Sequence, residues 1–251
     1  MKHNHNRVAL LALAALALSS GCGVAPGSER SAASSLQPHR YRIFVDESAS
    51  AAGRKNPQWN LGVNHLASLL TYGDAAEVYM INDTTKDNAP LFRVSIPVFP
   101  AHAGMSEQTV VKKQLVAGRR ELKRYLSQAI HVDPRNGSKT SDVLGFIERS
   151  SPDAVRKEVT ILFTDALESA DRALNLEKTC VARLNLNDTM QELAKRRRWS
   201  AGALRGNVHF VLPDKPPTRN CNSTRELEEF YRALVKALGA ELTSFQPYLT
   251  L

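Results

Sequence analysis

Residues 159–164, Val-Thr-Ile-Leu-Phe-Thr, form a run of β-branched and apolar side chains that ends at Asp165. A strand with one wet face alternates polar and apolar residues, whereas an unbroken run fits a strand buried on both faces in the middle of a parallel sheet. Such a strand needs helices above and below it, and the rest of the chain has the patterns to supply them. Strands are expected at Tyr41 to Val45, Glu77 to Ile81, Leu91 to Phe99, Val208 to Leu212 and Glu241 to Tyr248, and Pro97 confines the third of these to a sheet edge. One helix is expected from Asn56 as cap and Pro57 in the first turn, with Trp59, Val63, Leu66 and Leu70 on its apolar face. A second, Gln108 to Ile130, repeats apolar residues at helical spacing and is basic on its outer side. A short helix around Val143, Leu144 and Ile147 and another over Met190 to Arg198 follow. The last opens on the capping box Ser223-Thr224-Arg225-Glu226 and stops at Gly239. This alternation predicts an α/β fold over residues 40–251: a doubly wound, mostly parallel six-stranded sheet with helices on both faces.

Composition agrees. With 251 residues, 43% hydrophobic and 23% charged, the chain can bury a real core, and neither wholesale disorder nor a polytopic membrane protein fits. The formal charge of +8 permits attraction to an anionic surface without identifying one.

The amino-terminal segment reads as an address. Lys2 and Arg7 precede the apolar run Val8 to Leu18, and Ser19, Ser20 and Gly21 follow, which is the layout of a secretory signal over residues 1–21. The run is shorter than the roughly 20 residues that span a bilayer. The string Leu18-Ser19-Ser20-Gly21-Cys22 resembles the lipobox of bacterial lipoproteins. That resemblance implies a lipid on Cys22, an extracytoplasmic site held to the membrane by the anchor, and, with Gly23 rather than Asp next, the outer membrane of a Gram-negative envelope. Residues 22–39 are small and polar, as in a flexible tether. Outside the cytoplasm, Cys180 and Cys221 remain as an even pair in loops on one edge of the sheet; the reading is a disulfide, and the alternative is two free thiols.

In doubly wound sheets, functional groups gather outside the carboxyl ends of the strands. The first strand runs out into Asp46-Glu47-Ser48-Ala49-Ser50, one carboxylate and two hydroxyls at alternate positions, and the buried run ends at Asp165. On neighbouring strands the two acids would lie roughly 5 Å apart and repel. A divalent cation removes the conflict, and Mg²⁺ suits a site with few carboxylates, several hydroxyls and retained water. The polar loop 133–140 offers a further hydroxyl, Thr140.

Asp46, Ser48, Ser50, Thr140 and Asp165 together resemble the metal-ion-dependent adhesion site of von Willebrand factor A-type domains, whose motif is D-x-S-x-S, a distant Thr and an Asp ending a later buried strand. By chance D-x-S-x-S occurs in roughly one chain in ten of this length, so its place at a strand end carries the weight. Ala166 stands where the family usually has Gly. The resemblance covers about residues 40–250 and implies a protein-binding module in which Ser48, Ser50 and Thr140 hold Mg²⁺ (or Mn²⁺ or Ca²⁺) through hydroxyls. Asp46 and Asp165 would act through water, and an acidic residue of a protein partner would complete the coordination. The alternatives are a metal-dependent hydrolase and a metal-independent structural lipoprotein.

No G-x-S-x-G, H-E-x-x-H or phosphate-cradling loop is present, so no enzyme activity is expected. Lys195-Arg196-Arg197-Arg198-Trp199 reads as a solvated helix end, and no nucleic-acid partner is expected. His209, inside an apolar strand, reads as a packed core residue.

Overall fold

The computed structural model describes residues 37–251 except 49–50, 52–56, 88, 101, 103, 132–136, 152, 172–173 and 215–220. The signal segment, most of the tether, Cys22, Ser50 and the cap Asn56 lie outside the described residues. Ten regular elements follow in order among those described: β1 (His39–Asp46), α1 (Pro57–Leu69), β2 (Ala75–Ile81), β3 (Phe92–Ser95), α2 (Met105–Ala129), β4 (Lys157–Phe163), α3 (Leu186–Arg197), β5 (Asn207–Val211), α4 (Thr224–Ala237) and β6 (Glu241–Gln246).

The six strands form one sheet in the order β3-β2-β1-β4-β5-β6. All neighbours run parallel except the edge strand β3, which is antiparallel to β2. The fold is therefore α/β and doubly wound. The chain winds outward from β1 in one direction through β2 and in the other through β4, so the strand order reverses between β1 and β4. The strand expected over Leu91 to Phe99 is at the edge, but it is only four residues long and ends before Pro97.

Each face of the sheet has its own core. One is packed by α1 and α2, with Trp59, Val63, Leu66, Leu115 and Leu122 against Ile43, Val45, Ile161 and Phe163. The other is packed by α4 and α3, with Leu193, Leu227, Phe230 and Tyr231 against Phe44, Leu162 and Phe210. Alternate residues of β1 and β4 thus go to opposite cores, as the two-residue strand period requires. Gly118 lets α2 come close to the sheet edge, since a Cβ there would meet Ile96 Cδ1 at 2.6 Å. The capping box of α4 is present in full: Ser223 accepts the Glu226 N–H and the Glu226 carboxylate accepts the Ser223 N–H.

Two helical elements also differ from their expected form. The short helix is a single 3₁₀ turn, Val143–Phe146, with all four of its residues buried. Helix α3 starts at Leu186 rather than Met190, since Asn185 caps it by accepting the Asp188 N–H.

A charged ladder crosses the amino-terminal half of the sheet. Arg93 on β3 pairs with Glu77 on β2 at 2.7 Å, Glu77 with Arg40 on β1 at 3.0 Å, and the wholly buried Arg42 with Glu158 on β4 at 2.8 Å. Alternating signs on successive strands let these charges satisfy one another, from the exposed Arg93 at the sheet edge to the wholly buried Arg42.

Candidate functional site at the reversal point

Asp46 closes β1, and Thr164 and Asp165 follow β4, so the reversal point of the strand order carries both acids. Val45 pairs with Phe163 in the register, which sets Asp46 and Thr164 side by side one step later. The Asp46 carboxylate is 2% exposed. Its Oδ1 accepts the Ser48 N–H at 2.8 Å, and its Oδ2 accepts the hydroxyls of Thr164 at 2.5 Å and Ser141 at 3.2 Å. Burial pushes the Asp46 pKa up, and the hydrogen bonds from Thr164, Ser48 and Ser141 oppose that rise. Hydroxyls and a backbone N–H thus hold this buried carboxylate.

The second loop reaches the first by backbone pairing. Ser138 N–H donates to the Glu47 carbonyl at 3.2 Å, and Ser138 bridges Ser48 in parallel. Farther along, Asp142 N–H donates to the Asn82 carbonyl at 2.6 Å. Ser141 N–H donates to Ser169 Oγ at 2.8 Å, while Ser169 N–H donates back to the Ser141 carbonyl at 2.9 Å. Thr140 belongs to this loop and is half-buried, but the hydroxyl that reaches Asp46 comes from Ser141, one residue later.

Asp165 is 3% exposed, and its Oδ1 accepts the Leu167 N–H at 3.1 Å. Ala166 adopts φ of +63°, a left-handed conformation that costs a residue with a Cβ. This is the position at which the resembled family uses Gly. Its carbonyl accepts the Tyr231 hydroxyl at 3.0 Å. Burial, then the charges of Glu168, Asp165 and Asp46, raise the Tyr231 pKa well above the usual phenol range.

Glu168, three residues past Asp165, is also fully buried. Its Oε1 accepts N–H groups from Ala170 and Asp171, and its Oε2 accepts the Leu144 N–H. Burial pushes its pKa up to about 8 against these bonds, with help from the nearby Asp142 charge.

Arg197 departs from the reading of its segment as a solvated helix end. Its side chain is only 12% exposed and clasps three acids: Asp142 at 2.6 Å, Asp171 at 3.0 Å and Glu148 at 3.1 Å. Burial alone would lower its pKa, but Asp142, Glu148 and Glu168 turn the net shift upward. Arg196 also pairs with Asp171. These groups line an open basin of about 800 Å³ that also takes in Asp83, just beyond β2. A small cleft of about 80 Å³ lies beside Asp165, against Leu212 and Phe245.

The expected disulfide is present, joining Cys180 to Cys221 across the loops that precede α3 and α4. Asn222 reinforces it, accepting the Val181 N–H at 2.6 Å and donating to the Leu176 and Thr179 carbonyls.

Among the described residues, no group of three His, Cys, Asp or Glu side chains is placed to hold a metal ion. A cation at the reversal point would therefore draw on hydroxyls and water. The donor set fits that demand: hard oxygens of Ser48, Ser141 and Thr164 gather about a buried carboxylate, with Asp165 on the adjoining strand end. Ser48 and Ser141 would hold the ion, and Asp46 and Asp165 would balance its charge.

No family model matches the chain, and no curated protein matches it. Among solved structures it is similar to a von Willebrand factor type A protein from Catenulispora acidiphila, at 12% identity and a TM-score of 0.38. That match covers 83% of this chain and 38% of the other. It is also similar to proximal thread matrix protein 1 from the mussel byssus in two structures, at 13% and 14% identity and TM-scores of 0.35 and 0.34. Both cover 83% of this chain and 44% of theirs. The chain thus spans about two fifths of the length of the solved proteins it matches.

Proposed function

We propose that this chain is a protein-binding module, anchored by lipid at Cys22 on the outer face of a bacterial membrane. In this reading a Mg²⁺ ion at the end of β1 grips an acidic residue of a partner. The observation that carries it is the buried Asp46 carboxylate at the reversal point, partnered by hydroxyls and a backbone N–H. Burying a carboxylate with neutral partners alone is costly, and a divalent ion beside it offsets that cost while leaving a coordination position for an outside oxygen. The metal would supply charge and a directional bond to the partner. Ser48 would hold it together with Ser50, Thr140 and Ser141, Thr164 would fix the Asp46 carboxylate, and the loop 137–142 would set the distance between the hydroxyls.

The acids of the neighbouring basin support a binding role in another way. Arg197 locks Asp142, Asp171 and Glu148 in place, so the loops around the site are held by ion pairs rather than left to move. A partner would meet a preformed surface and lose little to ordering on binding.

The test is capture of envelope proteins by the immobilised chain with Mg²⁺ and with a chelator. The reading expects a partner that is retained only with Mg²⁺ and is lost by Ser48→Ala with Ser141→Ala. Retention of the same partner by that variant, or in chelator, would count against the metal.

A further inference from the structure

The excess positive charge is gathered on one side of the fold. Residues 92–130 carry seven Lys or Arg against two Asp or Glu, and residues 57–73, which include α1, carry none of the four. Helices α1 and α2 pack together on the same face, so this face is cationic with little acid to neutralise it. The acids around Asp46, Asp142, Asp165 and Asp171 gather instead at the carboxyl edge of the sheet.

The outward stripe of α2 carries the charge. Lys112, Lys113, Val116 and Arg120 line a shallow groove of about 380 Å³, and Lys123 continues the row at the next turn. Among the described residues, no ion pair involves Lys112, Lys113 or Lys123. Aliphatic side chains stand among the cations: Val116 is 67% exposed and Val110 is 51% exposed. Lys112 reaches over the ring of Phe99, which packs on Tyr72 next to the turn at Gly73.

That turn marks the edge at which the described chain enters the sheet. A Cβ on Gly73 would lie 2.9 Å from Pro38 and 3.5 Å from Val98, so Pro38, just before β1, and Val98, 70% exposed, flank the same point. The amino-terminal half of α2 therefore stands at the entry edge, and the Asp46 site stands at the opposite edge.

We propose that the α2 stripe of Lys112, Lys113, Val116, Arg120 and Lys123, with Val98 beside it, seats on an anionic phospholipid surface. Cations would meet headgroup phosphates while the valines enter the interface, and the Asp46 site, at the carboxyl edge of the sheet rather than on this face, would stay clear of the membrane and open to a partner. The face suits a lipid sheet because its cations are spread in one row along about three helical turns, with exposed valines among them and the groove between them shallow and open. The contact does not depend on the lipid at Cys22 or on the metal; an acyl anchor would strengthen it, as one chain with a polybasic patch holds where either alone is marginal.

The test uses residues 22–251 with Cys22→Ser, which lack both the apolar run Val8 to Leu18 and a thiol to acylate, in sedimentation with vesicles of phosphatidylcholine alone or with phosphatidylglycerol added. The proposal expects tighter binding to the anionic vesicles, lost in high salt. It also expects that Lys112→Glu, Lys113→Glu and Arg120→Glu together weaken that binding at least tenfold, since each cation contributes about fivefold. Reversing Arg225 and Lys236 to Glu on α4 is the control, and binding should persist. If the triple variant does not fold, the same sites changed to Gln give the reading. Equal binding of wild type and variant, equal binding to both vesicle types, or binding to poly-glutamate but not to vesicles would overturn the proposal.

Discussion

The Thr164 hydroxyl stands 2.5 Å from Asp46 Oδ2 and so ties the end of β4 to the end of β1 where the sheet reverses its order. Thr164 is fully buried, and its Oγ1 also accepts the Ala166 N–H at 3.1 Å. One hydroxyl thus steadies both the carboxylate and the left-handed turn that carries Asp165.

Thr164→Val removes that hydroxyl with little change of shape, so Asp46 loses a donor in a dry site. The expected cost is about 1–3 kcal/mol, read from urea unfolding, because the abandoned acceptor bears its full desolvation. Thr164→Ser keeps the donor and should recover most of the loss.

Arg197→Met leaves Asp142, Asp171 and Glu148 without their shared cation in a largely buried setting. Breaking one side of a buried ion pair costs about 3–5 kcal/mol, so the thermal midpoint should fall by many degrees. By contrast, Arg198→Met, next along the chain, should change it little, because Arg198 follows the last turn of α3 in a left-handed conformation that any flexible side chain must already bear. Equal effects of the two substitutions would return the segment to the role of a solvated helix end.

His209 gives a pH dependence with a defined sign. It is 1% exposed, and its Nδ1 lies 3.0 Å from Ser244 Oγ. Burial lowers its pKa to about 4, although a hydrogen bond with the Thr250 backbone works the other way. The folded pKa is below the unfolded value of 6.5, so the neutral ring's contribution is intact above pH 6.5 and is lost as pH falls from there through 4. The loss is no more than about 3 kcal/mol. His209→Gln should flatten that part of the stability profile, measured by denaturant unfolding from pH 7 to 4; an unchanged slope would contradict the assignment.

Much of the fold was legible because each element bears its own period. The unbroken run before Asp165 and the capping box of α4 are local signals whose outcome does not depend on the rest of the chain. His209 is packed inside its strand, as its apolar neighbours suggested. The site was less legible. Thr140 and Ser141 are adjacent hydroxyl residues, and which of them turns toward Asp46 is decided by backbone bonds from Ser138 to Glu47 and from Asp142 to Asn82, contacts distant in sequence. Arg197 was misread because a run of basic residues looks the same whether wet or buried. A signal was available: Arg197 lies four residues after Leu193, whose side chain packs into the core, and so shares its inward face. Arg42 hid in the same way, as one charge among the apolar residues of β1, with its partner Glu158 more than a hundred residues away. Ser50 and Cys22 lie outside the described residues, and their expected roles rest on the motifs that surround them.

The central claim is that oxygens from separate loops hold a divalent cation beside Asp46, and calorimetric titration of the metal-free chain with Mg²⁺ tests it most directly. The account predicts saturable binding of one ion by wild type, and binding at least tenfold weaker in Ser48→Ala with Ser141→Ala under conditions where circular dichroism shows that variant still folded. No saturable heat from wild type, or the same affinity in the double variant, would contradict it.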